Sequence, residues 1–462
     1  MSELENIKIW NVNKSTFKTV YFIGIGGIGM SAIAQYFNSI GSDVLGYDKT
    51  STHLTKKLEQ IGITVHYIED VNLIPKHADL VIYTPAIPKN HSELNYYINN
   101  GYKVLKRSDV LQLITEQGFN ICVAGTHGKT TTSTMAAHIL KYTGFGCNAF
   151  LGGISANYST NFWSSDKNYF VVEADEFDRS FLKLNSDIAV ITSMDADHLD
   201  IYGTLEELEN TFIQFSQKIK VGGTLIHKYN LNKSEQLSGT EKISYSFDNM
   251  EADVYASELS VNNGSYNFDV IAKEWVLTNV TLNMGGLHNI ENVLAAIIIA
   301  KKLEIEDDKI RDAVAEFKGV KRRFEYILKD DDHVLIDDYA HHPEELRALI
   351  SGVRSLYSLP LVIVFQPHLF SRTNDFATEF AESLSMADEV ILLPIYPARE
   401  KPMEGVTSEI IFDKITLKNK KIMNKNELEE YIKNLQPSLL VMAGAGDIDT
   451  LIQPIKQILV QQ

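Results

Sequence analysis

The chain reads as an α/β protein built from three units, and three observations say so. Its 462 residues suggest about three domains on the ordinary length scale. Short apolar strands alternate with helical stretches through most of the sequence, which is the pattern of a wound parallel sheet. Residues 243–282 break that pattern with a period-two alternation that suggests antiparallel strands.

The first unit opens with an apolar strand over residues 19–24, a turn, and a helix from about Ile28 to Ser39. A strand at 43–46, a helix over His53–Gln60 and a strand over Leu80–Tyr83 continue it, and it ends near Asp109. The second unit begins with the strand before Gly125 and adds strands at Tyr169–Glu173 and 187–192. Thr204 and Glu207 then form a capping box ahead of an apolar stripe, Leu205, Leu208, Phe212 and Phe215. Residues 244–247, 266–270 and 276–280 alternate as antiparallel strands would, and a helix follows from about Asn289. The third unit starts near Phe324, with strands at 334–336, Leu361–Phe365, 389–393 and 439–442. The expected domains are residues 1–110, 111–323 and 324–462.

Composition removes several classes. The chain is 44% hydrophobic, enough for proper cores. The longest apolar run, 293–300, falls well short of the roughly 18 residues of a membrane span. Glu3 and Glu5 stand where a signal peptide would be basic and then apolar, so none is expected. Cys122 and Cys147 give no disulfide framework, which suits the cytoplasm. A net charge of −17 argues against nucleic acid as a partner, and any phosphate ligand must be held by local groups against the overall field.

The most informative stretch runs from Ile121 to Thr132. An apolar strand enters Gly125-Thr126-His127-Gly128 and delivers Lys129-Thr130-Thr131 to a helix start. Such a corner cradles phosphates with backbone N–H groups, adds the lysine charge, and offers the Thr130 hydroxyl to Mg²⁺. Val123 stands where the general phosphate-loop pattern has glycine, and a plain strand–turn–helix corner is the alternative. Earlier, Gly24-Ile-Gly26-Gly27-Ile-Gly29 follows a strand and precedes a helix, with Asp48 24 residues after Gly24. This is the dinucleotide fingerprint, with the acid on a ribose; glycines kept for packing are the alternative.

Five further clusters lie at strand ends, a helix start or a unit boundary. Glu173-Ala-Asp-Glu176 and Asp195-Ala-Asp197-His198-Leu-Asp200 offer Glu173 and His198 to a metal beside Thr130, or else form solvated turns. His288, Asn289 and Asn292 open a helix, where the two amides read a base edge or cap it. Arg322-Arg323 suits phosphate by its forked geometry, or forms a basic turn. Asp337-Asp338-Tyr339-Ala-His341-His342 is an unusual polar loop. Gln366-Pro-His368 with Arg372 suits an anionic group, or simply starts a helix.

In order and spacing these motifs resemble the Mur ligases over nearly the whole chain. The resemblance rests on Gly24–Met30, Gly125–Thr132, Glu173–Glu176, Asp197-His198-Leu-Asp200, His288-Asn289, Arg322-Arg323-Phe324, Asp338–Pro343 and Gln366-Pro-His368 with Arg372-Thr373. It implies a Rossmann-like N-terminal domain that binds the UDP part of a substrate through Gly24, Gly26, Gly27, Gly29 and Asp48. It implies a central domain of the phosphate-loop ATPase type, with the added antiparallel sheet, that binds ATP. It implies a Rossmann-like C-terminal domain that closes on ATP and an amino acid. Carried over, Gly125 to Thr131 hold phosphate; Thr130, Glu173 and His198 bind Mg²⁺; and His288, Asn289 and Asn292 face adenine. Arg323 reaches the phosphates, Asp338 and Tyr339 meet the ribose and base, and His368 and Arg372 face the substrate's anionic groups or the amino acid.

Asp195–Tyr202 looks most like the branch that joins L-alanine to UDP-N-acetylmuramate in peptidoglycan synthesis. Catalysis would then rest on Lys129, Glu173, His198 and His341, with His198 or His341 taking the amine proton. Leu369 stands where that branch usually has arginine. Thr211, Phe212 and Ile213 occupy the region where sister ligases carry a modified lysine, so none is expected. The nearest alternative is the recycling branch that attaches a whole tripeptide. A nicotinamide-dependent oxidoreductase would leave Lys129, Glu173 and His198 unexplained, and a nucleotide-gated binding protein would release no amide. The expected state is a monomer or weak homodimer, with no membrane partner.

Overall fold

The computed structural model describes residues 17–461 apart from residues 117, 197, 198, 263 and 399. Three sheets carry the fold. The N-terminal sheet is wholly parallel, in the spatial order Thr64–His66, Asp43–Tyr47, Thr19–Ile23, Leu80–Tyr83, Val104–Lys106. Its middle strand, Thr19–Ile23, is buried throughout, as a parallel strand covered on both faces must be. Winding reverses between that strand and Leu80–Tyr83, and the glycine loop at Gly24 leaves the carboxyl end there, where wound sheets bind ligands.

The central sheet has ten strands. Around Phe119–Ala124 lie Ser186–Ile191 on one side and Tyr169–Glu173 on the other, both parallel to it. Winding reverses here too, so the loop after Ala124 opens at a switch point with the ends of both neighbours beside it. The added strands do not form a separate sheet; they continue this one. Only Ser265–Ala272 and Val276–Leu282 form the expected antiparallel pair, which Val254–Asn262 joins. Glu241–Ser246 is parallel to both neighbours, contrary to the expectation for 244–247. The reason is physical: period two reports which face is buried and carries no information on strand direction.

The helix Leu205–Ser216 shows one half of the expected capping box, with Thr204 Oγ1 accepting from the Glu207 amide at 3.2 Å. Its stripe begins one turn later than expected: Leu205 is exposed, whereas Leu208, Phe212 and Phe215 are buried. Helix His288–Lys302 is buried over Asn289–Ala300 and packs beside helix Lys129–Tyr142, which sets the pair behind the phosphate loop. The C-terminal sheet places Glu325–Lys329 antiparallel at one edge and runs five parallel strands beyond it, Val334–Asp338 first.

The first two units share one apolar core, in which the Tyr36 ring meets those of Phe150 and Phe162 with centres 5.8 and 6.2 Å apart. Polar bonds fasten the same contact: Asn161 Nδ2 donates to Ile28 O at 2.6 Å, and Gln35 Nε2 donates to Asn161 Oδ1 at 3.0 Å. The N-terminal glycine loop is thereby held at a fixed distance from the central sheet. No helix among the described residues is long and apolar enough to cross a membrane. Phe215 stacks on Phe181 at 4.9 Å and is fully buried. Phe215→Ala is expected to cost about 3–5 kcal/mol, read from urea unfolding followed by tryptophan fluorescence; an unshifted midpoint would contradict this packing.

Candidate active site

The phosphate loop takes its shape from two glycines. Gly125 and Gly128 have φ of 137° and 81°, the left-handed region that favours glycine. A Cβ on Gly125 would lie 2.1 Å from Thr192 Oγ1, and one on Gly128 2.6 Å from Asn292 Oδ1. Those neighbours are the loop's fastenings. Ser193 Oγ accepts from the His127 amide at 2.8 Å and meets Thr126 Oγ1 at 2.9 Å. Thr192 Oγ1 donates to the carbonyls of Ala124 and His127. The loop is therefore organised before any ligand arrives, with the start of helix Lys129–Tyr142 aimed into a cleft.

Lys129 donates to Gly125 O at 2.6 Å and to Glu176 Oε1 at 2.7 Å. Glu173, one strand end away, accepts from Thr130 Oγ1 at 2.9 Å and from the Gly152 amide at 2.8 Å. Gly152 is required here, because its Cβ would stand 2.3 Å from Glu173 Oε1. Burial pushes the Glu173 pKa up, and Lys129, the Thr130 hydroxyl and the Gly152 amide pull it back. A hard divalent cation is the natural further compensation for a desolvated carboxylate beside a hydroxyl, so this oxygen donor pair fits Mg²⁺. Asp197 and His198 lie outside the described residues. No cluster of three acidic, histidine or cysteine ligands occurs among the described ones.

The cleft over the loop has a volume of about 490 Å³. His288, Arg323, Tyr339 and His341 line it together with Lys129. Asn289 and Asn292 border it too, but their amides are committed inward. Asn292 Oδ1 accepts from Thr132 Oγ1 at 3.0 Å, Asn292 Nδ2 donates to Asn289 Oδ1 at 2.9 Å, and Asn289 Nδ2 donates to Gly285 O at 2.6 Å. They brace two buried helices against each other, a role neither base reading nor capping anticipates.

The two arginines divide their work. Arg322 faces the C-terminal domain, 3.6 Å from Asp337, with its guanidinium 5.0 Å from the Tyr339 ring centre. Arg323 faces the cleft, where its charge lowers the pKa of Glu173 and of Asp338. Asp338 accepts from the Phe324 amide and the Ala340 amide, each at 2.7 Å, so its carboxylate folds the domain junction as well as bordering the cleft. Tyr339 is 45% exposed, with the His341 ring edge-to-face at 5.2 Å. His341 Nδ1 lies 2.9 Å from Tyr339 O; a carbonyl only accepts, so this bond puts the proton on Nδ1 and leaves Nε2 unprotonated in the neutral ring. His368 stands 5.9 Å from His341, ring to ring, and Arg372 Nη1 donates to His341 O at 3.5 Å. The residues 338–342 and 366–372, distant in sequence, thus form one rim.

A second cavity of about 580 Å³ lies between the first two units, lined by Gly27–Met30, Thr84, Arg107, Asp175 and Phe177 among others. The glycine loop contributes its later half. Gly24 and Gly26 turn the chain, and the Asp48 carboxylate accepts from the Gly26 amide at 2.8 Å, so Asp48 holds the loop where a ribose contact was expected. Gly29 leaves room for Arg107, whose Nη1 a Cβ would meet at 2.4 Å. A smaller cavity of about 150 Å³ shares Gly29, Arg107 and Asp175 with this one, and it reaches Gly152 and Glu173. Glu173 therefore lines both this passage and the nucleotide cleft.

Sequence reading passed over Glu176, Gly152, Arg107 and Ser193. Glu176 stood in a quoted acidic run, and its placement one turn past a strand end was the available signal; the others depend on contacts no local pattern encodes.

A preorganised phosphate loop, a carboxylate at its threonine and a smaller cavity that reaches this carboxylate from beside the second one define an enzyme that brings a nucleotide to another substrate. Three family models match in chain order: "Mur ligase family, catalytic domain" over residues 19–118, "Mur ligase middle domain" over 123–300 and "Mur ligase, glutamate ligase domain" over 322–448. The chain belongs to the Mur ligase family. It is similar to the UDP-N-acetylmuramate–L-alanine ligase of Porphyromonas gingivalis, 50% identical over 96% of this chain and 99% of that one. It is 47% identical to the same-named enzyme of Flavobacterium johnsoniae, over 97% and 99%. Among solved structures it resembles the UDP-N-acetylmuramate-alanine ligase of Thermotoga maritima, with TM-score 0.80, 26% identity and coverage of 96% and 98%.

Two predictions follow from this geometry. Gly152→Ala is expected to push Glu173 off Thr130 and lower kcat about 10²-fold while the circular dichroism stays native; full activity would contradict the tight approach. Burial pushes Asp337 up to about 7. The folded protein then keeps a proton that the unfolded chain releases near pH 4, so this group's contribution to stability falls as pH rises from about 4 to about 7 and is flat above. Asp337→Asn should remove that part of the Tm-against-pH slope; an unchanged slope would contradict it.

Proposed function

We propose that this chain is an ADP-forming ligase that joins L-alanine to the lactyl carboxylate of UDP-N-acetylmuramate in peptidoglycan precursor synthesis. The observation that carries the reading is Glu173, which lines both the nucleotide cleft and the passage from the N-terminal cavity. The substrate is supported by relatives of that name at 45–50% identity over nearly the full length.

The lactyl carboxylate takes the terminal phosphoryl group of ATP, and ADP leaves. The amine of L-alanine then displaces phosphate from the acyl phosphate and forms the amide. Thr130, Glu173 and His198 would hold Mg²⁺, which offsets phosphate charge when bound. Lys129 and Arg323 supply positive charge in the cleft, where the transferring group gains most from fixed charge. His288 and Tyr339 flank the adenine end, with Asn289 and Asn292 bracing the wall behind. The UDP part lies along Gly27–Gly29, where the helix Ile28–Ser39 starts and Arg107 brings a cation.

His368 and Arg372 form the rim that receives the amino acid carboxylate. His341 is the base placed for the amine, because its carbonyl bond leaves Nε2 free to accept a proton.

The test is ADP release with ATP, Mg²⁺ and UDP-N-acetylmuramate, adding L-alanine or an alanyl peptide one at a time. Turnover with L-alanine is expected, and Lys129→Ala should lower kcat by about 10²–10³-fold. Turnover only with the peptide would move the chain to the recycling branch, and no acceptor-dependent ADP would overturn the ligase reading.

A further inference from the structure

Lys129 is not waiting free for a phosphate. Its side chain is 14% exposed, and its ammonium sits between the Gly125 carbonyl at 2.6 Å and Glu176 Oε1 at 2.7 Å. The Glu176 side chain is fully buried, and its backbone is pinned by the Tyr202 hydroxyl, which donates to Glu176 O at 2.5 Å. A carboxylate so placed keeps its charge only with cationic support, and Lys129 supplies it at 2.7 Å. A lysine neutralised in this way attracts phosphate less than a free one, so nucleotide must compete with Glu176 for the same three N–H groups. The lysine stem is flexible enough to turn between the two without moving the preorganised loop.

We propose that Glu176 is a positioning residue that restrains Lys129. It holds the ammonium in the loop, yields it as the terminal phosphate arrives, and reclaims it as product leaves. The inference rests on the nucleotide reading above. Glu176 also adjoins Phe177, Asp178 and Ser180, which line the sugar-nucleotide cavity; Asp178 and the next residue, Arg179, have φ of 57° and 54°. The acid that restrains the nucleotide lysine thus anchors one wall of the second cavity.

A residue that merely supported the loop would, when neutralised, weaken nucleotide binding. A restraint does the opposite. Glu176→Gln keeps the shape and removes the competing charge, so Lys129 should grip ADP more firmly. Calorimetry with ADP and Mg²⁺ on the full chain is expected to show a Kd lower by about threefold to tenfold. In the coupled assay kcat and the KM for ATP should fall together, because ADP leaves more slowly, with kcat/KM little changed. In the Lys129→Ala background the same substitution should leave ADP affinity unchanged, which isolates the effect to the lysine. Should Glu176→Gln fail to fold, Glu176→Met, similar in size and apolar, is read by the same measurements. Unchanged or weaker ADP binding, or an equal gain without Lys129, would overturn the restraint. No ADP binding to the unaltered chain would overturn the nucleotide reading itself.

Discussion

The structure turns on a partly buried carboxylate at a strand end. Glu173 ends a central parallel strand and stands, desolvated, between the Thr130 hydroxyl and the Gly152 amide. Two hydrogen bonds do not fully offset the loss of water around a charge, and its raised pKa records the shortfall. The surrounding elements are arranged to supply the remainder. The phosphate loop brings Lys129 near it, the junction before the third domain brings Arg323, and the glycine at position 152 lets the backbone approach. Every element that converges on Glu173 also borders a cavity for substrate.

That convergence explains how an acidic protein handles anionic substrates. With a net charge of −17, the field of the whole molecule repels nucleotides. Local cations must overcome it, and each of the three that face the cavities is placed by a different domain boundary or loop. Lys129 is restrained by Glu176, Arg323 by the fold of residues 320–324, and Arg107 by its loose pairing with Asp175 at 3.6 Å. Lys129 has a short ion pair, with buried Glu176 at 2.7 Å, and the Arg107 pair is longer. Asp338 contributes in another way: by binding the amides of Phe324 and Ala340 it fixes the chain path that turns Arg322 inward and Arg323 toward the cleft.

Much of this was legible in the amino-acid sequence, and the divide follows range of contact. Gly125, Gly128, Lys129 and Thr130 work through local backbone geometry, so their spacing alone suggested a phosphate cradle. The three α/β units were readable because burial of parallel strands leaves continuous apolar runs. The direction of Glu241–Ser246 was not readable, since alternation is the same for either direction. The bracing roles of Asn289 and Asn292 depend on Thr132, which lies 160 residues from Asn292. Gly152 and Ser193 acquire meaning only when the sheet places them beside Glu173 and His127. Asp48 was expected to face a ligand, yet a nearer amide, that of Gly26, claims its carboxylate.

In the proposed reaction Glu173, with Thr130, is the point where metal, nucleotide and acid substrate meet. Binding of Mn²⁺ as a stand-in for Mg²⁺, followed by electron paramagnetic resonance in the presence of ADP, tests it most directly. One tight Mn²⁺ per chain is expected, with affinity falling about tenfold or more in Glu173→Gln. Equal affinity in the two proteins would contradict it.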